Sequence, residues 1–158
     1  MPAKMHRRAF LVGGQTAFFA VLAAPLSAQR GQVLSPSEAF DALLADTMRI
    51  IDVRSREEWQ ETGVGSGVWP ISMHESRFAE RLFASKSLSG DRQIGLICAT
   101  GGRSASLLGA LIRAGNSSGY ADISEGMLGS GSGPGWIASG LPTVPLDVAL
   151  QNMPAELA

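Results

Sequence analysis

Short apolar runs alternate with amphipathic stretches along most of this 158-residue chain. Arg49 to Arg54 (RIIDVR), Val68 to Ser72, Gln93 to Ile97 and Tyr120 to Ile123 are short runs with apolar cores and read as strands. Ser35-Pro36-Ser37-Glu38 is a helix start, with Ser35 as cap, proline at the first helical position and an acid three residues after the cap. Ala39, Phe40, Leu43 and Leu44 supply that helix with one apolar face. A short acidic helix is expected around Trp59 (Glu57 to Glu61) and another from about Glu75 to Ser85 on Phe78, Leu82 and Phe83. A third runs from Ser104 to Arg113 and stops at Gly115. Strands alternating with helices predict an α/β fold on a parallel sheet covered on both faces.

Glycine punctuates this pattern. Gly63-Val64-Gly65-Ser66-Gly67 is a loop, and residues Gly126 to Gly135, with five glycines, read as a long mobile one. One domain over residues 35–145 is expected, preceded by a linker at 29–34 and followed by a C-terminal tail at 146–158.

Residues 1–28 differ in kind. Lys4, Arg7 and Arg8 precede a mostly apolar run from Ala9 to Ala24 that contains no acid and ends in small residues at Ser27-Ala28. The run is short for a bilayer span and is diluted by Gly13, Gly14, Gln15 and Thr16, so it reads as a cleaved export signal and leaves no membrane anchor. His6-Arg7-Arg8-Ala9-Phe10-Leu11 resembles the twin-arginine export motif, which places the mature protein in the periplasm or otherwise outside the cytoplasm. Removal of this segment leaves ten basic against fourteen acidic residues, a net charge of −4. No clustered basic face remains to suggest a nucleic-acid partner.

Against that background Cys98 stands out as the only cysteine. No intramolecular disulfide can form, so in an oxidising compartment the thiol is either inert in the core or kept for its reactivity. It sits in Cys98-Ala99-Thr100-Gly101-Gly102-Arg103-Ser104, between a strand and a helix. A core strand needs no such glycine pair, whereas a loop whose amides converge on an anion does. The amides of Ala99, Thr100, Gly101, Gly102 and Arg103, together with the N-terminus of the helix at Ser104, would lower the thiol pKa and make a nucleophilic thiolate. Arg103 adds a fixed positive charge, either for an anionic substrate or for holding the loop in shape.

These residues carry a family resemblance. Cys98 to Ser104 resembles the active-site loop of rhodanese-domain sulfurtransferases, Cys-x-x-Gly-x-Arg followed by a small residue. Ile51-Asp52-Val53-Arg54 with Glu57, Glu58 and Trp59 resembles the first signature of that family, and Glu125-Gly126, Trp136 and Gly140-Leu141-Pro142 its last. The resemblance runs from about Leu34 to Val144. It implies a three-layer α/β/α rhodanese-like fold and a double displacement through a Cys98 persulfide. The donor would be a small sulfur-containing anion such as thiosulfate, and the acceptor a thiol, a thiol protein or cyanide, with no cofactor and no metal. The chain departs from the family at Gly63 to Val68, where Gly-His-Ile-Pro-Gly-Ala is common, and in the extra residues Gly129 to Gly135 before Trp136.

Other residues add less. Asp52 is expected to brace the loop by hydrogen bonding, with Arg54 beside it, because no step of the reaction needs a carboxylate. His74 has no second histidine beyond residue 28 to share a metal with. Trp59, Trp69 and Trp136 read as packing residues, Trp136 near the pocket mouth. Gly133, Gly135 and Ala138 make only a degenerate dinucleotide motif, interrupted by Pro134. Two other functions fit the same loop: a phosphatase or arsenate reductase of related fold, and a non-catalytic binding module. Only four residues separate Cys98 from Arg103, where the phosphatase pattern has five, and the tighter ring suits sulfur better than a phosphoryl group.

Overall fold

The computed structural model describes residues 31–158; the expected export signal, residues 1–28, lies outside the described residues. In chain order the elements are β1 (Gln32–Leu34), α1 (Pro36–Leu44), β2 (Met48–Asp52), α2 (Arg56–Thr62), β3 (Val64–Gly65), β4 (Trp69–Pro70) and α3 (Phe78–Ser89). There follow β5 (Gln93–Ile97), α4 (Gly102–Arg113), β6 (Tyr120–Ile123), α5 (Gly135–Ala138), β7 (Thr143–Val144) and α6 (Leu146–Gln151). Five strands form a parallel sheet in the order β1-β6-β5-β2-β4, and β3 and β7 make a separate antiparallel pair.

Strand alternation sorts the core into two layers. From β5, Ile94, Leu96 and Cys98 enter one apolar cluster with Leu82, Leu108 and Leu111, while Ile97 enters the other with Met48, Ile50 and Trp136. Gly95 leaves room for the second layer, because a Cβ there would lie 3.0 Å from the Met48 sulfur and 3.1 Å from Ile123 Cδ1. The sheet is therefore covered on both sides, as the strand and helix alternation predicts.

The expected caps form. Ser35 Oγ accepts from the Glu38 amide at 3.3 Å while the Glu38 carboxylate accepts from the Ser35 amide at 2.8 Å. Ser55 and Glu58 repeat this arrangement at the start of α2. The strand expected from Val68 to Ser72 is only Trp69–Pro70, at the sheet edge, where a proline without an N–H is tolerated. The helix expected from Glu75 starts three residues later and continues to Ser89, ending at Gly90 with φ 59°.

Four expectations need correction. Residues 32–34 are not linker but edge strand β1, paired in parallel with Ala121 to Ile123, and Leu34 accepts a hydrogen bond from the Ser124 amide at 3.1 Å. Residues 146–158 are not a loose tail: α6 buries Leu146 and Ala149, a 3-10 turn at Ala155–Leu157 buries Leu157 completely, and Arg81 Nε donates to the Leu157 carbonyl at 2.7 Å. Residues Gly126 to Gly135 fold tightly, with paired Ser130 and Gly133 backbones and a buried Met127. Trp136 is also core rather than rim, fully buried, edge-on to Phe40 at 5.4 Å and donating from Nε1 to the Pro142 carbonyl at 3.0 Å.

Candidate active site

The Cys98 loop lies at the carboxyl end of β5, in the middle of the sheet, where ligands of parallel sheets bind. The chain turns there because Gly101 takes a left-handed φ of 86° directly before α4. No other residue fits this position, since a Cβ at Gly101 would lie 1.8 Å from the Ser124 carbonyl oxygen. Gly102, by contrast, is exposed, and a Cβ there would face open space. One glycine packs the loop down and the other leaves the space above it clear.

Cys98 itself is 1% exposed, under its own loop. Burial pushes its thiol pKa up, but hydrogen bonds from the Ser104 hydroxyl and from the amides of Ser104, Thr100 and Arg103 outweigh that and bring it below the ordinary value. Ser104 Oγ stands 3.5 Å from Cys98 Sγ and 3.1 Å from the Gly101 carbonyl oxygen. Ala99 is half-buried and Thr100 exposed, so the loop presents backbone rather than side chains to the sulfur. The groups hydrogen-bonded to the sulfur are amides and one hydroxyl.

The Arg103 side chain makes no hydrogen bond to the sulfur. Its guanidinium binds Glu58 of α2 through both nitrogens, Nη1 to Oε2 at 2.8 Å and Nη2 to Oε1 at 2.5 Å. That fork holds the Glu58 carboxyl down to about 2, and the Arg103 pKa is raised in return.

Asp52 departs from expectation. Its carboxylate makes no hydrogen bond to the loop; it accepts from the Arg54 amide and Nε, and forms an ion pair of 2.7 Å with Nη2, both side chains being wholly buried. Arg54 then donates to Thr62 Oγ1 at 2.7 Å and to the Gly63 carbonyl at 2.8 Å, fixing the end of α2. By hydrogen bonds and contacts Asp52 thus reaches the loop through Arg54, α2, Glu58 and Arg103. The reason is geometric: a carboxylate at the last position of β2 is two residues from Arg54, whose guanidinium and backbone amide occupy both its oxygens first.

The other flank of the loop is backbone. The Met127 amide donates to the Cys98 carbonyl and the Leu128 amide to the Ala99 carbonyl, both at 2.8 Å. Gly126, at φ 71°, lies so close that a Cβ would be 2.4 Å from the Ala99 oxygen. Glu125 closes the turn by accepting from the Gly135 amide at 2.9 Å.

Sequence reasoning missed three participants: Glu58 as the partner of Arg103, Ser104 Oγ as a ligand of the sulfur, and Asp122. Asp122 is a single acid inside the apolar strand Tyr120–Ile123, which was the available signal, and it is 4% exposed. Among the described residues no group of His, Cys, Asp and Glu could hold a metal ion, and no helix is long and apolar enough to cross a membrane. Two grooves, of about 640 Å³ between α2 and α6 and about 540 Å³ beside Arg77 and Arg81, include no residue of the Cys98 loop.

The model of the rhodanese-like domain family matches residues 35–129, more than half of the chain and the whole of this site. The chain belongs to the rhodanese-like domain family. Two solved structures share the fold of this rhodanese-like protein. One is a protein of unknown function, possible tyrosine phosphatase, from Rhodopseudomonas palustris CGA009, at 21% identity and TM-score 0.54, covering 72% of this chain and 85% of that one. The other is a rhodanese-like domain from Anabaena sp., at 20% identity and TM-score 0.52, covering 80% of this chain and 85% of that one. Among curated proteins none matches significantly. The matched region stops at the Gly129 turn, so the extra residues before Trp136, α6 and the closing 3-10 turn are outside it.

Proposed function

We propose that this rhodanese-like protein is a sulfurtransferase that carries sulfane sulfur on Cys98. The observation that carries the reading is the thiol itself, held under its loop with a lowered pKa by three amides and a hydroxyl. In the first half-reaction the Cys98 thiolate attacks the outer sulfur of thiosulfate; the new S–S bond takes that sulfur and the thiosulfate S–S bond breaks, releasing sulfite with its electron pair. The persulfide carries one negative charge on its terminal sulfur, within the amides of the loop. Cyanide, or an acceptor thiolate, then attacks that sulfur, and Cys98 leaves as thiolate. No proton moves in the thiosulfate-to-cyanide cycle, which accords with a site that presents no free carboxylate to the sulfur.

A phosphatase reading is weaker on this geometry. Phosphoester cleavage uses a fixed cation on the transferring oxyanion and an acid for the leaving group. Here Arg103 is committed to Glu58, and Asp52 to Arg54. The decisive assay is thiocyanate release from thiosulfate and cyanide: the wild type turns over, Cys98→Ser does not, and equal rates in both proteins overturn the reading.

We further propose that the protein is exported and meets its donor, and a thiol-protein or small-anion acceptor, outside the cytoplasm, where glutathione is scarce. The support is residues 1–28, with Arg7-Arg8 ahead of a weakly apolar run. Sequencing the N-terminus of the periplasmic form is expected to find a start near Gln29; a soluble cytoplasmic form retaining Met1 or Pro2 overturns it. Lysines in place of Arg7 and Arg8 block a twin-arginine route and leave a general secretory one intact.

A further inference from the structure

The reaction proposed above leaves one buried acid of the sheet without a task. Asp122 lies in β6, opposite Leu96 of β5 and Val33 of β1, and its Oδ1 is fully buried with no hydrogen-bond partner. An ionised carboxylate is poorly tolerated in such a place. Burial accordingly raises the Asp122 pKa, and only the Ser104 hydroxyl works in the opposite direction. No charge nearby offers relief. Strands β1 and β5 carry none, Arg103 of α4 is tied to Glu58, and Arg113 is in the last turn of that helix. On α3, Glu80 pairs with Arg77, Arg81 is bound to Leu157 and Glu75, and Lys86 donates to the Gly90 and Arg92 carbonyls.

Ser104 links this acid to the sulfur. It is fully buried, and its Oγ is in reach of Cys98 Sγ and the Gly101 carbonyl. Asp122, in register with Leu96, lies on the face of the sheet that carries Cys98 and packs under α4, and the Ser104 hydroxyl acts on its carboxyl from there. A hydroxyl has one proton to give and two lone pairs to receive with. If Asp122 were ionised, sulfur, carbonyl and carboxylate would compete for that single proton. If Asp122 carries its own proton, it turns from competitor into donor.

We propose that Asp122 is a positioning residue for the thiolate: in its protonated form it donates to Ser104 Oγ and so leaves the Ser104 proton to Cys98 Sγ. The chain Asp122 Oδ–H to Ser104 Oγ–H to Cys98 S⁻ runs in one direction, and each hydrogen bond polarises the next. The link also matches the chemical cycle, because the charge on Sγ moves to the outer sulfur in the persulfide and returns when the acceptor takes it. This rests on the reading of Cys98 as the nucleophile, but not on any particular donor or acceptor.

The test is the rate of Cys98 alkylation by iodoacetamide against pH, which reports the thiolate without requiring sulfur transfer. Asp122→Ala removes the donor and is expected to raise the midpoint by about one pH unit, slowing alkylation about tenfold below it. Asp122→Asn keeps an N–H donor at the same place and is expected to retain the wild-type midpoint. In a Ser104→Ala background, Asp122→Ala should add no further shift. The proposal is overturned if folded Asp122→Ala keeps the wild-type midpoint, if Asp122→Asn shifts it as far as alanine does, or if the shift persists without the Ser104 hydroxyl. Should the alanine variant not fold, Asp122→Asn against Ser104→Ala decides: the proposal needs the serine change to raise the midpoint and the asparagine change to leave it. A protein that passes these tests but never forms thiocyanate would separate a correct thiolate assignment from an incorrect sulfurtransferase one.

Discussion

The Cys98 loop is held from two sides by different means. Toward β6 the support is backbone: amides of Met127 and Leu128 on the Cys98 and Ala99 carbonyls, with Gly101 and Gly126 packed against Ser124 and Ala99. Toward β2 it is charge: Arg103 on Glu58, and the buried Asp52–Arg54 pair holding the helix that carries Glu58. A backbone support ignores pH and salt but has no room for a side chain. A support made of ion pairs accepts conservative changes in shape but answers to charge. The two flanks should therefore fail under different perturbations, and each failure can be separated from the chemistry at the sulfur.

The largest effect is expected on the backbone side. Gly101→Ala sets a Cβ 1.8 Å from the Ser124 oxygen in a left-handed conformation, so the loop cannot keep its shape. We expect sulfur transfer to be lost, with stability reduced by about 3 kcal/mol or more in denaturant unfolding. Gly102→Ala, whose Cβ meets nothing, should leave stability within about 0.5 kcal/mol. Equal behaviour of the two variants would show that the flank is not rigid.

Next comes the buried pair. Arg54→Met strands the Asp52 carboxylate and frees the Thr62 and Gly63 end of α2, and is expected to cost about 3–5 kcal/mol. Changing both partners together, Asp52→Leu with Arg54→Met, should recover much of that loss, because no charge is left unpaired. Urea titration of the single and double variants reads this directly.

Arg103 is a smaller step and bears on the site itself. With its guanidinium on Glu58, Arg103→Ala should lower kcat/KM for thiosulfate on the order of a hundredfold through a loosened loop and a lost positive charge. Arg103→Lys should fall between, since an ammonium cannot reproduce the two-nitrogen fork. Wild-type turnover in the alanine variant would mean that glycine and amides alone shape the loop.

Acid provides the mildest probe. Glu58 titrates at about 2 in the folded protein against an ordinary value of 4.5, so its contribution is complete above pH 4.5 and is lost as pH falls toward 2. Glu58→Gln should flatten that part of a stability profile measured by thermal melting between those limits. The amide-to-carbonyl bonds of Met127 and Leu128 contribute no such slope.

Much of this architecture is visible in the bare sequence because its parts are long or chemically marked. Ile94 to Ser104 reads as strand, loop and helix from apolar run, glycine pair and Ala-Leu periodicity, and the Ser35 cap is realised atom for atom. What escapes is short or dependent on partners. Three residues of β1 have no periodicity of their own and become a strand only because β6 offers an unpaired edge. The six residues of α6 are too few to show a helical face. Composition marks residues 126–135 as loop, but cannot show that their amides fasten the Cys98 loop. Asp52 and Arg54 are adjacent enough in sequence to pair with each other first, which redirects the brace from the loop to α2. Glu58 and Asp122 gain their significance from residues 45 positions away and from burial, neither of which spacing displays.

The account turns on whether the Cys98 sulfur accepts and gives up a second sulfur. Intact-mass measurement of the protein after incubation with thiosulfate tests this most directly, without an acceptor or a coupled assay. The expected result is a gain of about 32 Da, one sulfur, which cyanide removes and which Cys98→Ser never shows. A folded protein with a reactive Cys98 that gains no such mass, or gains it equally in the serine variant, would contradict the account.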